Sequence, residues 1–176
     1  MRTLLVGLAL LVAVTSTPAF AKHASGAAKK SAKSGAPAPD PNEAVGKAHG
    51  GKVWIVTGTP PSVEGEDLSK WLSGHASVTE VSKKSSEERW PITFIAVFKK
   101  SPAKGPITVE FVDKKEPGTL VDQFSPPTIA ESVVYQEPYD LETNNGFNKG
   151  HTYVIKVGQL IKGKFVSYAS GEISLK

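Results

Sequence analysis

The chain has 176 residues, no cysteine and a formal net charge of +4, from 21 lysines and arginines against 17 acids. The lack of cysteine excludes disulfides, thiol catalysis and thiolate metal sites, so the folded part has to be held by its apolar core. Residues 22–52 hold six lysines against Asp40 and Glu43, whereas residues 53–176 hold 14 cations against 15 acids. The excess charge therefore sits near the N-terminus, and a broad basic face for nucleic acid is not expected on the folded part.

Met1-Arg2-Thr3 supplies one cation, and Leu4 to Val14 is an apolar run of signal-peptide length. Thr15 to Pro18 breaks it, and Ala19-Phe20-Ala21 offers small residues at the two positions a signal peptidase accommodates. This three-part pattern predicts a secretory signal over 1–21, too short to serve as a membrane span, and hence a periplasmic or secreted protein. No transmembrane segment is expected after cleavage.

Residues 22–51 are almost wholly Ala, Gly, Ser, Lys and Pro, with Val45 the one large apolar side chain. Such a composition does not offset its ordering entropy, so a disordered tail is expected, with Pro37 to Pro41 locally extended. His23 would lie beside the new amine after cleavage, a pairing that suits copper. A histidine present by chance is the better explanation, since imidazole alone discriminates weakly among metals, and no metal or other cofactor is assigned.

From Lys52 the composition changes, and residues 52–176 are expected to form one domain. Val53 to Val56 reads as a strand ended by Gly58-Thr59-Pro60-Pro61. Residues 64–74 read as a helix, with Leu68, Trp71 and Leu72 on one face and acids at its start. Ile92 to Phe98 is nearly continuous in apolar residues, as in a strand covered on both faces. In 107–112, Ile107, Val109 and Phe111 alternate with polar neighbours, the period of a half-buried strand. Shorter strands are expected at 120–124 and 132–135, then at 151–157, 164–169 and 172–175. Gly171 marks a bulge or bend between the last two.

Asn148-Lys149-Gly150 stands just before Tyr153 at the head of an apolar strand. This stretch, with the strands to Leu175, resembles the last strands of immunoglobulin-like and fibronectin-type domains, where a tyrosine hydroxyl bonds back to the connecting backbone. The resemblance implies an all-β, antiparallel immunoglobulin-like sandwich, in which the helix read at 64–74 would be a short insertion. Tyr153, Trp54 and Trp71 are expected to be structural.

No pattern for catalysis stands out. His23, His49, His75 and His151 share no ligand spacing, and there is no Gly-x-Ser-x-Gly elbow or phosphate loop. Asp140 to Gly146 briefly resembles a calcium loop, but the glycine comes one place late and His151 stands where a bidentate glutamate belongs. A turn with Asn145-Gly146 at positive φ explains that segment better. The expected function is a non-catalytic exported module that binds an envelope or extracellular protein through loops such as 113–119 and 139–150. The first alternative is a carbohydrate-binding module that presents Tyr139, Phe147 and Trp90 to a wall or surface glycan. The second is a small hydrolase or metalloenzyme with a loop-assembled site, which requires His75 or His151 to lie near a carboxylate.

Overall fold

The computed structural model describes residues 39–83, 87–127 and 132–176. The expected signal peptide, residues 22–38 of the expected tail, and His23 lie outside the described residues.

The first element, α1 (Glu43–His49), falls inside the stretch expected to lack structure. Seven residues are too few to hold a helix alone, and docking supplies the rest. Val45 is fully buried. Gly46 sits so close to the Phe98 carbonyl that a Cβ there would come within 2.8 Å of it. The Asp40 carboxylate accepts the backbone N–H groups of Asn42 and Val133, and the Asn42 side-chain oxygen accepts the Gly65 N–H. The folded unit thus reaches back to about Asp40, not Lys52.

The remaining elements are β1 (Lys52–Val56), α2 (Gly65–Gly74), β2 (Glu80–Val81), β3 (Arg89–Val97), β4 (Thr108–Asp113) and β5 (Leu120–Phe124). They are followed by β6 (Val134–Glu142), a 3-10 turn (Thr143–Asn145), β7 (Thr152–Ile161) and β8 (Lys164–Leu175). The helix read at 64–74 is α2, with Leu68 and Leu72 buried and Trp71 half-buried.

The protein is β-rich. Its strands form one continuous hydrogen-bonded sheet in the order β5-β4-β7-β8-β1-β3-β6, with β2 alongside β8. Most pairs are antiparallel, but β1 and β2 run parallel to β8, so the sheet is mixed. The expectation was two facing antiparallel sheets. Here a single curled sheet, a half-barrel, wraps around its own concave face instead. Strand rhythm in a sequence gives the number of strands and not their pairing, which is why the two arrangements read alike.

The concave face holds the main core, including Val53, Ile55, Trp90, Phe94, Phe111, Phe147, Tyr153 and Ile173. The convex face of β1 and β3 holds a second cluster in which Trp54, Ile95 and Val97 meet Val45 of α1 and Leu68 and Leu72 of α2. Strand β3 is therefore covered on both faces, which accounts for its unbroken apolar run. Pro138 does not end β6, because β6 is the sheet's last strand and an edge tolerates a missing N–H.

Two glycines are fixed by close approach. The ladder continues straight through Gly171, whose missing side chain admits the Val53 carbonyl 2.5 Å from where a Cβ would lie. The register shift in this hairpin falls instead between Val157 and Gly158. A Cβ on Gly158 would lie 2.0 Å from the Val166 carbonyl oxygen.

Candidate functional site

Antiparallel pairing gathers one set of connections at one end of the sheet. Lys52 pairs with Val97, Val97 with Val134, and Thr108 with Gly158. The 98–107 connection, the β7–β8 turn and the start of β1 therefore share that end. Between them lies an open groove of about 650 Å³. Phe98 and Ala169 give it an apolar floor, and Lys99, Lys100, Ser167 and Ser170 bring charge and hydroxyls to its rim.

One buried side chain holds this groove in shape. The Gln159 side-chain amide donates to the Ala103 carbonyl at 2.8 Å and to the Gly105 carbonyl at 3.3 Å. Its oxygen accepts the Tyr168 hydroxyl at 3.0 Å. The 98–107 connection is thereby tied to both strands of the β7–β8 hairpin, and the Tyr168 ring stands edge-on to Phe98. Of the groove's lining residues Lys99 and Lys100 carry charge and none is acidic, so its rim is cationic. Nothing in the sequence pattern flagged Gln159 or Lys99-Lys100. The signal available was two adjacent lysines and a glycine-proline loop opposite a polar residue in an apolar strand.

The aromatic side chains expected to face a glycan are drawn into the core instead. Trp90 is 1% exposed and Phe147 0%. Tyr139 is half-buried, its ring stacked on Phe111 and Phe124 at 5.0 Å from each. The reason is the pleat of β6: Tyr135, Tyr139 and Leu141 share the inward face, and Phe147 returns to the same cluster against Tyr153. Trp90 packs at the head of β3, where its ring N–H donates to the Lys176 carbonyl. The 139–150 segment is part strand, part turn; of the expected pair at positive φ only Gly146 is there, at +91, where it caps the 3-10 turn that Asn145 ends. Asp140 pairs with Arg89 at 2.7 Å. Among the described residues, no group of three or more histidines or carboxylates converges to hold a metal.

Tyr153 is fully buried, and its hydroxyl accepts the Asn148 backbone N–H at 2.7 Å. Trp54 is buried beneath the helices, and His49 stands edge-on to it.

The histidines differ in what they can do. His75 stacks on Trp71 at 4.5 Å and bonds the Trp71 carbonyl. His49 Nε2 lies 3.0 Å from the Ser69 hydroxyl but also 3.2 Å from the Ser69 carbonyl. A carbonyl can only accept, so this nitrogen carries the hydrogen and does not activate the serine. His151 Nδ1 lies 2.6 Å from the Asp113 carboxylate, a pairing that would orient an imidazole base. The one condition set for the hydrolase alternative is thus met at His151 and not at His75. Yet the hydroxyls bonded next to this pair serve the ladder, with Thr152 bonding Ser174 at 2.8 Å. The His151 ring lies nearly parallel to that of Tyr153. Burial acts to raise the Asp113 pKa. The His151 ring and the Lys115 N–H outweigh it and hold the carboxyl below its ordinary range. The pair joins the end of β4 to the entry of β7.

No protein-family model matches this chain, and neither does any curated protein.

Proposed function

We propose that this chain is a non-catalytic exported binding module, and that it holds an acidic group of an envelope or extracellular protein in the groove between Lys99-Lys100 and Ser167–Ser170. The observation that carries this reading is the groove itself, with an apolar floor, a cationic rim and a buried glutamine keeping its walls in register. Sites of this make-up, mostly apolar with a few placed polar groups, are where small ligands and partner side chains dock. Export rests on the three-part pattern at 1–21. The immunoglobulin-like resemblance adds nothing to this reading, because the groove is a product of the curled single sheet.

The test is recovery of the native chain from its own cells after mild crosslinking. A reproducible protein partner is expected, and Lys99→Glu with Lys100→Glu should remove it while leaving the unfolding midpoint in place. Equal recovery of the same partner by the doubly reversed variant would show that the groove is not the contact.

A further inference from the structure

The β7–β8 hairpin outruns its neighbours. β4 stops pairing with β7 at Gly158, and β1 meets β8 only at Ser170. The 98–107 connection holds Gln159, so residues 160–165 project as a two-stranded ribbon with the Gln159–Val166 pair at its base, and at the strand rise Ile161 lies roughly 10 Å beyond Gly158. Of the four large apolar side chains exposed among the described residues, three sit on this ribbon or at its base: Leu160, Ile161 and Val166. The ladder pairs Leu160 with Phe165, and Gln159 with Val166. Leu160 and Phe165 thus occupy one face, Ile161 and Val166 the other. A hairpin that leaned on a protein surface would need one apolar face. This one has two.

The apex carries charge as well. Lys162 and Lys164 flank Gly163, and Lys162 is the one non-glycine residue at positive φ among the described residues, at +52. A two-residue turn of this kind favours Asn-Gly or Gly-Gly, so a lysine there is held against backbone preference. It places an ammonium group at the tip.

From these observations we propose that the β7–β8 hairpin is a membrane-surface anchor, its apex immersed in the interfacial layer of an anionic lipid bilayer. Leu160, Ile161, Phe165 and Val166 would enter the acyl boundary, and Lys162 and Lys164 would stay with the anionic headgroups. The projection matches the depth of roughly 5–10 Å at which interfacial segments sit. The long lysine stems allow both placements at once. A soluble polyanion would leave the four apolar side chains without a partner, which is why a lipid surface is the favoured occupant. The inference goes beyond the groove reading, and its variants leave Lys99 and Lys100 in place.

The test uses the full chain with vesicles of phosphatidylcholine alone or with added phosphatidylglycerol. Leu160→Trp provides a local probe against brominated-chain lipids. Its added fluorescence should be quenched on anionic vesicles and not on neutral ones. Leu160→Ser with Ile161→Ser should lower affinity for anionic vesicles by roughly tenfold or more, as expected for removing buried apolar area at an interface. Lys162→Asn should lower that affinity while leaving the thermal midpoint unchanged or higher, because asparagine relaxes the turn. An unquenched tryptophan at 160, or quenching that is equal on neutral vesicles, would overturn the proposal. So would anionic-vesicle binding that neither the serine pair nor Lys162→Asn reduces. Binding of a partner protein in the groove would be untouched by either result.

Discussion

The Tyr139 hydroxyl, on one edge strand of the sheet, donates to the Asp122 carboxylate on the other. Strands β6 and β5 share no ladder, so this bond and the stacking of Tyr139 on Phe124 join the two edges through side chains. The half-barrel is thereby clasped shut over its core. A side-chain clasp also limits access to two strand edges that would otherwise invite pairing with another chain.

Removing the clasp should therefore cost stability. Tyr139→Phe keeps the ring stack and loses the bond to a charged acceptor, so a loss of roughly 1–3 kcal/mol is expected. Denaturant unfolding measures it: the midpoint should fall with little change in slope. Asp122→Asn should lower it too. No change in either variant would mean that the stacked rings alone hold the edges together.

Alkali should act through the tyrosines. Burial pushes the Tyr135, Tyr139 and Tyr153 hydroxyls above their ordinary value of 10.0. Bonds to the Glu137 and Asp122 carboxylates add to this for Tyr135 and Tyr139. A group whose folded pKa is raised stabilises fully below the unfolded value and loses that contribution as pH climbs through the folded one. Stability should thus fall from about pH 10 upward. Phenolate absorbance at these three positions should appear together with unfolding. Ionisation of all three well before unfolding would contradict the burial described here.

Acid should act through Asp113. Its pKa is held below the ordinary 3.8, since hydrogen bonds from the His151 ring and the Lys115 N–H outweigh burial. A depressed folded pKa stabilises above the unfolded value and is lost as pH falls through the folded one. The wild-type unfolding midpoint should drop below about pH 4. Asp113→Asn should be less stable at neutral pH and show a flatter profile in that acid window. Parallel profiles would remove Asp113 from the account.

Gln159→Leu should uncouple the groove from its frame. The change removes the bonds to the Ala103 carbonyl and the Tyr168 hydroxyl, each worth about 0.5–1.5 kcal/mol. Partner recovery should fall as well, although no residue on the groove's rim is altered. Loss of stability with undiminished recovery would show that the groove keeps its shape without this hub.

Local elements were legible wherever a single face carried the signal. The i, i+3, i+4 spacing of Leu68, Trp71 and Leu72 gave α2, and the unbroken run in β3 marked burial on both faces. The glycine-x-x-tyrosine spacing at Gly150 and Tyr153 pointed to a hydroxyl that bonds the Asn148 backbone. Helix α1 was not legible, because Val45 and Gly46 make a helix only against Phe98 and α2. The inward face of β6 was hidden by Pro138 and the polar residues around Tyr139. The alternation of Tyr135, Tyr139 and Leu141 was the clue that places those rings inside. The groove was least legible, since it depends on pairing order, which brings Lys99 beside Ser167 across 68 positions of sequence.

The most direct test of the groove as the binding surface is photo-crosslinking from two positions in living cells. A photoreactive residue at Ser170 lies in the groove, and one at Asn144 lies at the opposite end of the sheet. The account predicts a discrete protein adduct from position 170 that Lys99→Glu with Lys100→Glu abolishes, and none from position 144. An adduct from position 144 alone would contradict it and return recognition to the 139–150 segment.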